Sequence, residues 1–358
     1  MVREVHMALY RSLILGCGPR AKAHADVYPQ IEDMKLVAAC DLDEERLAAF
    51  TSTYGIPEGF TDYETALDAV GPDIVHVVTQ PGNRVWEAEC AAEAGVKAAI
   101  MEKPIAIVPS EIIELQRIRD EAGMKLIVNC QRRYFPQFRD GHIRQVMEEQ
   151  IGDVYLIRAS TKGNLMSMGP HTMDLLLMLM GDVTPQSVWA MAYGIDETGY
   201  KAHHRAPEHL LAEYWFPGEV RVLFDSDVDA LGTPDEDSFF MHLHFDILGS
   251  TGRIYVTQNR GWWWQCEGMA QPEFGESSWD TQQRDGQRDF TAAVARWLTG
   301  GEPHLNRFET ARATFDASMA ALQSVYEGRR VDLPHSFTDA QWHQLRERLL
   351  ALDSQHTA

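Results

Sequence analysis

Leu13-Ile14-Leu15-Gly16-Cys17-Gly18-Pro19-Arg20-Ala21 is an apolar strand that runs straight into a glycine turn, and its reading decides the fold. Gly16 permits the tight turn, Gly18 lets the backbone approach a pyrophosphate, and Ala21 is small enough for the next helix to pack close to the strand. Pro19 is suited to a first helical turn, and Arg20 follows it where backbone N–H groups face phosphates. Downstream, Lys35-Leu36-Val37-Ala38-Ala39-Cys40 reads as a second strand, and Asp41 ends it where a carboxylate can accept hydrogen bonds from adenosine ribose hydroxyls. Asp41 and Asp43 repel a 2′-phosphate, so NAD is expected rather than NADP. A glycine turn alone closes many loops; strand, turn, helix, second strand and terminal acid together make a dinucleotide cradle.

From residue 11 to about 130, short apolar runs alternate with amphipathic ones, as a doubly wound parallel sheet requires. Strands are predicted at Asp73–Val78, Ala98–Met101 and Lys125–Val128, with helices over 43–54, 84–94 and 110–122. Gly55, Gly95 and Gly123 read as helix stops and Ser110 as an N-cap. Thr79, just past the strand Asp73–Val78, is assigned to the cofactor.

Beyond residue 150 the runs become β-rich: Val154–Ser160, Ser187–Tyr193, Leu211–Phe216, Val220–Phe224 and Phe240–Leu248. Little helix separates the later ones, which predicts an antiparallel sheet. Helical spacing returns over 286–299, 309–327 and 338–352. The expected class is α/β: an N-terminal Rossmann doubly wound parallel sheet, plus a C-terminal α+β domain with a large, mainly antiparallel open sheet. Its divisions are a cofactor domain at 1–130, a substrate-binding and oligomerisation domain at 131–335 and a helical tail at 336–358. Ligands are expected in the cleft at the strand ends.

With 358 residues, 45% of them hydrophobic, the chain can bury a sizeable core. Thirty-two basic against fifty-three acidic side chains leave a net charge of −21, which argues against nucleic acid or an anionic membrane as partner and favours a small molecule. No apolar run reaches the roughly eighteen residues of a membrane span, and the N-terminus lacks the apolar core of a signal peptide. A cytoplasmic address is the resulting expectation. Five scattered cysteines, Cys17, Cys40, Cys90, Cys130 and Cys266, suggest reduced thiols with no metal-ligand spacing, and no metal is assigned.

Met101-Glu102-Lys103-Pro104 follows a predicted buried strand. With the cradle, it resembles the Gfo/Idh/MocA family, named for glucose-fructose oxidoreductase, inositol dehydrogenase and a rhizopine-catabolism protein. The resemblance spans about residues 10 to 335, through Asn129-Cys130-Gln131-Arg132-Arg133-Tyr134, Ile151-Gly152-Asp153-Val154, Gly169-Pro170-His171-Thr172-Met173-Asp174, Gly249-Ser250-Thr251-Gly252-Arg253-Ile254 and Glu327-Gly328-Arg329-Arg330-Val331. It implies an NAD(H)-dependent oxidoreductase acting on a secondary alcohol or ketone of a sugar, cyclitol or glycoside. Lys103 corresponds to the family lysine that contacts the reacting hydroxyl and the nicotinamide ribose, and His171 to a histidine used as acid or base. Glu102 is expected to orient Lys103 and to lie with the cofactor site. Hydride removal from a carbinol carbon leaves a carbonyl only if the hydroxyl proton also departs to a group within reach, which a lysine of lowered pKa or a histidine can provide.

Ser167 stands where many members carry an aspartate four residues before the histidine, so it can hydrogen-bond a sugar hydroxyl but cannot act as a carboxylate base. Arg84 stands where many members place a histidine. Arg132 and Tyr134 are assigned to the substrate, with an interface ion pair as the alternative for the arginine pair. Trp262-Trp263-Trp264, with two rings on one strand face, suits either a sugar-stacking surface or a subunit interface. His203 and His204 fall in a polar loop. Two other readings share the fold: an enzyme that recycles bound NAD during epimerisation, elimination or glycoside cleavage, and a non-catalytic sugar-sensing regulator. An open sheet needs cover, so a homodimer or homotetramer is expected.

Overall fold

The computed structural model describes residues 9–230, 232, 238–258, 260–275 and 277–356. The chain forms two compact units. The first comprises Met1–Ile105, Glu111–Tyr134 and Arg284–Phe308; the second comprises Ala106–Ser110, Phe135–Gln283 and Glu309–Ala358.

In the first unit β1 (Tyr10–Leu15) leads through the glycine turn into α1 (Pro19–Ala25), followed by β2 (Met34–Cys40), α2 (Glu44–Tyr54), β3 (Glu58–Phe60) and α3 (Tyr63–Val70). Then come β4 (Ile74–Val77), α4 (Arg84–Glu93), β5 (Ala98–Met101), α5 (Pro109–Ala122) and β6 (Lys125–Val128). The six strands lie parallel in the order β3-β2-β1-β4-β5-β6. This is the doubly wound order with its switch point between β1 and β4, where ligands bind at the carboxyl ends of strands. β4 and β5 are buried at every residue, which explains their apolar runs, interrupted only by His76 in β4: both sheet faces are covered. Asp43 caps α2 by accepting the Arg46 N–H at 3.0 Å, and Gly55 closes it at φ 62°. Ser110 is not a cap: it lies inside α5, and its N–H and hydroxyl both donate to the Asp339 carboxylate. Arg284–Phe308 returns to this unit, so that Phe290 and Val294 join Tyr10, Ile74, Ile100 and Ile127 in one apolar core.

The second unit holds α6 (Pro136–Arg139), α7 (His142–Glu149), β7 (Val154–Lys162), α8 (Gly169–Leu179), β8 (Ser187–Tyr193), β9 (His209–Trp215) and β10 (Arg221–Asp227). It continues with β11 (Leu243–Gly249), β12 (Gly252–Thr257), β13 (Trp262–Cys266) and β14 (Glu273–Gly275). Last come α9 (Trp279–Leu298), whose C-terminal part belongs to the first unit, α10 (Phe308–Glu327), β15 (Val331–Asp332) and α11 (Asp339–His356). The nine strands run in the order β14-β13-β12-β11-β7-β10-β9-β8-β15, antiparallel except for β7 beside β10. Residues 239–241 form a 3₁₀ turn, so the predicted strand at 240–248 begins only at Leu243. One sheet face is covered, with Tyr214 donating to the Ala317 carbonyl of α10 at 3.0 Å. The opposite face leaves Trp189, Met191, Tyr193 and Leu211 exposed. No described helix is long and apolar enough to cross a membrane.

Candidate active site

Gly16 has φ 89°, and a Cβ placed on it would lie 2.8 Å from the Val78 carbonyl oxygen, so the turn admits no side chain. A Cβ on Gly18 would meet nothing within 4 Å, which leaves the space that dinucleotide phosphates require. Ala21 is fully buried against the strand, as its small size suggested, and Pro19 opens α1. These residues fit a dinucleotide. Arg20 departs from the simple expectation: its guanidinium turns to Glu102 Oε1 (2.6 Å) and Gln287 Oε1 (2.9 Å), so its side chain belongs to the scaffold.

Asp41 sits at the end of β2 and accepts the Cys17 N–H of the turn at 2.7 Å and the Asp43 N–H at 2.9 Å. Arg46, one turn into α2, spans both carboxylate oxygens at 2.8 and 2.9 Å. Burial alone would raise the Asp41 pKa, but Arg46 and the two N–H groups outweigh it and hold the carboxyl below its usual value. The Arg46 side chain is 48% exposed, so this pair contributes little net energy, on the order of 1 kcal/mol or less, and ribose hydroxyls can compete for the carboxylate.

Thr79 is tied into a buried cluster: its hydroxyl donates to Glu87 and accepts from Arg84, which also donates to the Thr79 carbonyl. Arg84 is thus a buried partner of Glu87 at 2.9 Å. The Cys17 and Cys40 thiols are pushed up to about 12, chiefly by burial, and no disulfide joins any of the five cysteines.

Glu102 and Lys103 directly follow β5. Glu102 is buried, and burial would raise its pKa, yet Arg20 and His24 hold it well below the usual carboxylate value. Lys103 is partly buried, and desolvation of its amine lowers its pKa to about 8; Glu102 pulls it back up and Arg132 pushes it down. Arg132 is buried and so reaches Lys103 through its field. Tyr134 corrects the sequence reading. Its ring packs edge-on to Phe290 in the apolar core, and its hydroxyl accepts the Leu305 N–H at 3.3 Å, which makes it scaffold.

In the second unit His171 lies in the first turn of α8, an almost wholly buried helix, and is itself 6% exposed. Ser167 precedes that helix, with its N–H on Asn164 Oδ1 at 2.8 Å. It lines a cavity of about 410 Å³ with Asn164, Asp196, Thr198, Lys201 and His204. That volume falls in the range of small-molecule sites. Lys201 pairs with Asp196 at 2.9 Å and with Glu208, giving the cavity charged hydrogen-bonding groups. None of these long-loop residues carried a local signal; His204, read as a polar loop residue, is buried. Trp262 and Trp264 stack at 5.0 Å on one face of β13 while Trp263 lies over Tyr255, as strand alternation demands. His209, Asp227 and Asp229 offer ligand atoms within 4.8 Å of one another, but His209 Nδ1 is already 2.8 Å from Asp227 and Asp229 is exposed.

Residues 10–130 match the model of the Gfo/Idh/MocA oxidoreductase family, described as its NAD-binding Rossmann fold. Among curated proteins, the chain is 30% identical over 192 residues to a D-apiose dehydrogenase of Paraburkholderia graminis, covering 49% of this chain and 51% of the relative. It is 27% identical over 206 residues to a D-glucoside 3-dehydrogenase of Escherichia coli, covering 51% and 57%. The match therefore spans about half the length of these relatives. The fold also resembles that of an oxidoreductase from Agrobacterium radiobacter solved with NAD+, L-tartaric acid and magnesium, at TM-score 0.76 and 19% identity over 90% of this chain and 98% of that one. The glycine turn, the terminal Asp41 and the Glu102-Lys103-Pro104 segment all lie within the residues that match this NAD-binding family model.

Proposed function

We propose that the chain is an NAD(H)-dependent oxidoreductase that interconverts a secondary alcohol and a ketone on a sugar, cyclitol or glycoside. The observation that carries this reading is Lys103: an amine at the end of a sheet strand in a dinucleotide-binding unit, held near pKa 8 by desolvation. NAD supplies the ring that accepts or returns hydride. Lys103 takes the hydroxyl proton at Nζ, and His171 is a second acid or base. Ser167 orients a substrate hydroxyl in the cavity it lines, and Arg132 keeps Lys103 weakly basic. Two relatives whose names specify D-apiose and D-glucosides support the substrate class. The test is a panel of sugars, inositols and glycosides, followed by nicotinamide absorbance with NAD and with NADH. At least one is expected to give stoichiometric conversion. Tight NADH binding with no turnover across the panel would overturn the assignment.

NAD(H) is expected to bind more tightly than NADP(H), because Asp41 serves the ribose hydroxyls and opposes an added phosphate. Asp41→Ala should narrow that preference by about tenfold, equivalent to roughly 1.4 kcal/mol. Equal or tighter NADP(H) binding by the unaltered chain, measured calorimetrically, would refute the role of Asp41.

The face bearing Trp189, Met191, Tyr193 and Leu211 is proposed as the contact between copies in a homodimer or homotetramer. Tyr193→Glu should shift the chain toward monomer in sedimentation velocity. A monomeric unaltered chain would remove the proposal.

A further inference from the structure

A polar chain runs through the core of the first unit. Tyr28 Oη lies 2.7 Å from His76 Nε2, His76 Nδ1 lies 2.9 Å from His24 Nδ1, and His24 Nε2 lies 3.0 Å from Glu102 Oε1. Every member is buried, with His24 and His76 at 0% exposure. Burial lowers the pKa of both histidines, so both are neutral and each carries one ring proton. The titratable groups that bear on them are Glu102 and Arg20 for His24, and His24 and Glu102 for His76. Those acting on Lys103 are Glu102, Arg132, Cys130 and Arg20.

Geometry then orders the protons. Oε1 of an ionised carboxylate can only accept, so His24 presents Nε2–H to it, and its Nδ1 is left as an acceptor. His76 must therefore present Nδ1–H to His24, which leaves His76 Nε2 to accept the Tyr28 hydroxyl. The reverse order would set the His24 Nε2 lone pair against a carboxylate at 3.0 Å, with only the Asn129 Nδ2 amide, 2.9 Å away and already donating to Oε1 at 2.8 Å, to satisfy it. Two more donors meet the same oxygen, Arg20 Nε at 2.6 Å and Asn129 Nδ2 at 2.8 Å. Gln287 Oε1 accepts from Arg20 Nη2 at 2.9 Å and from Asn129 Nδ2 at 3.2 Å, which holds both side chains in place.

We propose that Tyr28, His76 and His24 form a one-way hydrogen-bond chain that engages Oε1 of Glu102, and that through Glu102 they act as positioning residues for the adjacent Lys103. Its functional meaning rests on the proton-handling role of Lys103 proposed above. A carboxylate oxygen shared among three donors has less to give a neighbouring ammonium, so the chain keeps Lys103 easy to deprotonate. Without the His24 donor, Arg20 still keeps Glu102 charged, and the released oxygen stabilises the Lys103 ammonium.

The test uses the full chain labelled with ¹⁵N-histidine and ¹³Cε-lysine and reads tautomers and lysine ionisation by NMR, with no substrate or cofactor present. His24 is expected as the Nε2–H tautomer and His76 as the Nδ1–H tautomer at neutral pH. His24→Leu should raise the Lys103 midpoint by about one pH unit, a tenfold gain in proton affinity, whereas His24→Gln, which returns an N–H near the Nε2 position, should restore it. Tyr28→Phe removes only the terminal donor, and it should mix the His76 tautomers and move Lys103 in the same direction. A purely structural role would lower the melting temperature of these variants and leave the Lys103 midpoint in place. That result, or the opposite tautomers, would overturn the proposal. Should Lys103→Met keep full turnover, the catalytic reading of Lys103 fails while these titrations still decide the chain.

Discussion

Lys103→Met is expected to lower turnover by about a hundred- to ten-thousandfold while NAD binding stays nearly unchanged, the range lost when a general acid–base group is removed. Methionine preserves the length and apolar stem of the side chain but offers no proton acceptor. The pH profile carries the sharper signature. In the proposed role the neutral amine is the base for alcohol oxidation, so kcat/KM should rise with pH through about 8, where desolvation places Lys103, and this limb should vanish in the variant. His171→Ala should fall in the same range, and a double variant little worse than the poorer single one would show that the two residues serve one step. Single-turnover rates on an identified substrate settle it: near-normal hydride transfer in Lys103→Met removes the lysine from the chemistry.

Gly16→Ala is expected to abolish measurable NAD binding and to destabilise the first unit. Its φ of 89° lies in the left-handed region, which alone costs roughly 1–3 kcal/mol for a residue with a Cβ. The added methyl would also stand 2.8 Å from the Val78 carbonyl oxygen, so β1 and β4 could not keep their register at the switch point. Gly18→Ala makes the contrast, because its Cβ meets no protein atom: it should fold with unchanged stability and lose affinity only. Thermal unfolding and calorimetric titration of both variants check this, and equal stability of all three proteins would show that the turn tolerates a side chain.

These two sites differ in how they were legible. Gly16, Gly18, Ala21 and Asp41 could be read from the chain because each requirement is local: a positive φ, a small residue under a helix, an acid at a strand end. Lys103 was legible as the residue after a buried strand. Arg46 was within reach of reading, five residues beyond Asp41 and one turn into a helix capped by Asp43. His76 had a faint signal, a polar residue in the apolar run Ile74-Val75-His76-Val77, but its partner His24 lies 52 positions away. Tyr134 misled because a tyrosine beside two arginines at a domain start resembles a pocket wall, whereas the core formed with Phe290 claims its ring.

The sequence by itself determined the parallel sheet, the dinucleotide cradle, the change to an antiparallel sheet after residue 150 and the lysine and histidine candidates, because periodicity, turn chemistry and strand ends are written in neighbouring residues. Only the tertiary structure decided which groups meet. It brought Gln287 to Arg20 across 267 positions, gathered Asp196, Lys201 and His204 around Ser167, and aimed three donors at one oxygen of Glu102. Such contacts depend on where long connections return the chain, and no local spacing encodes that.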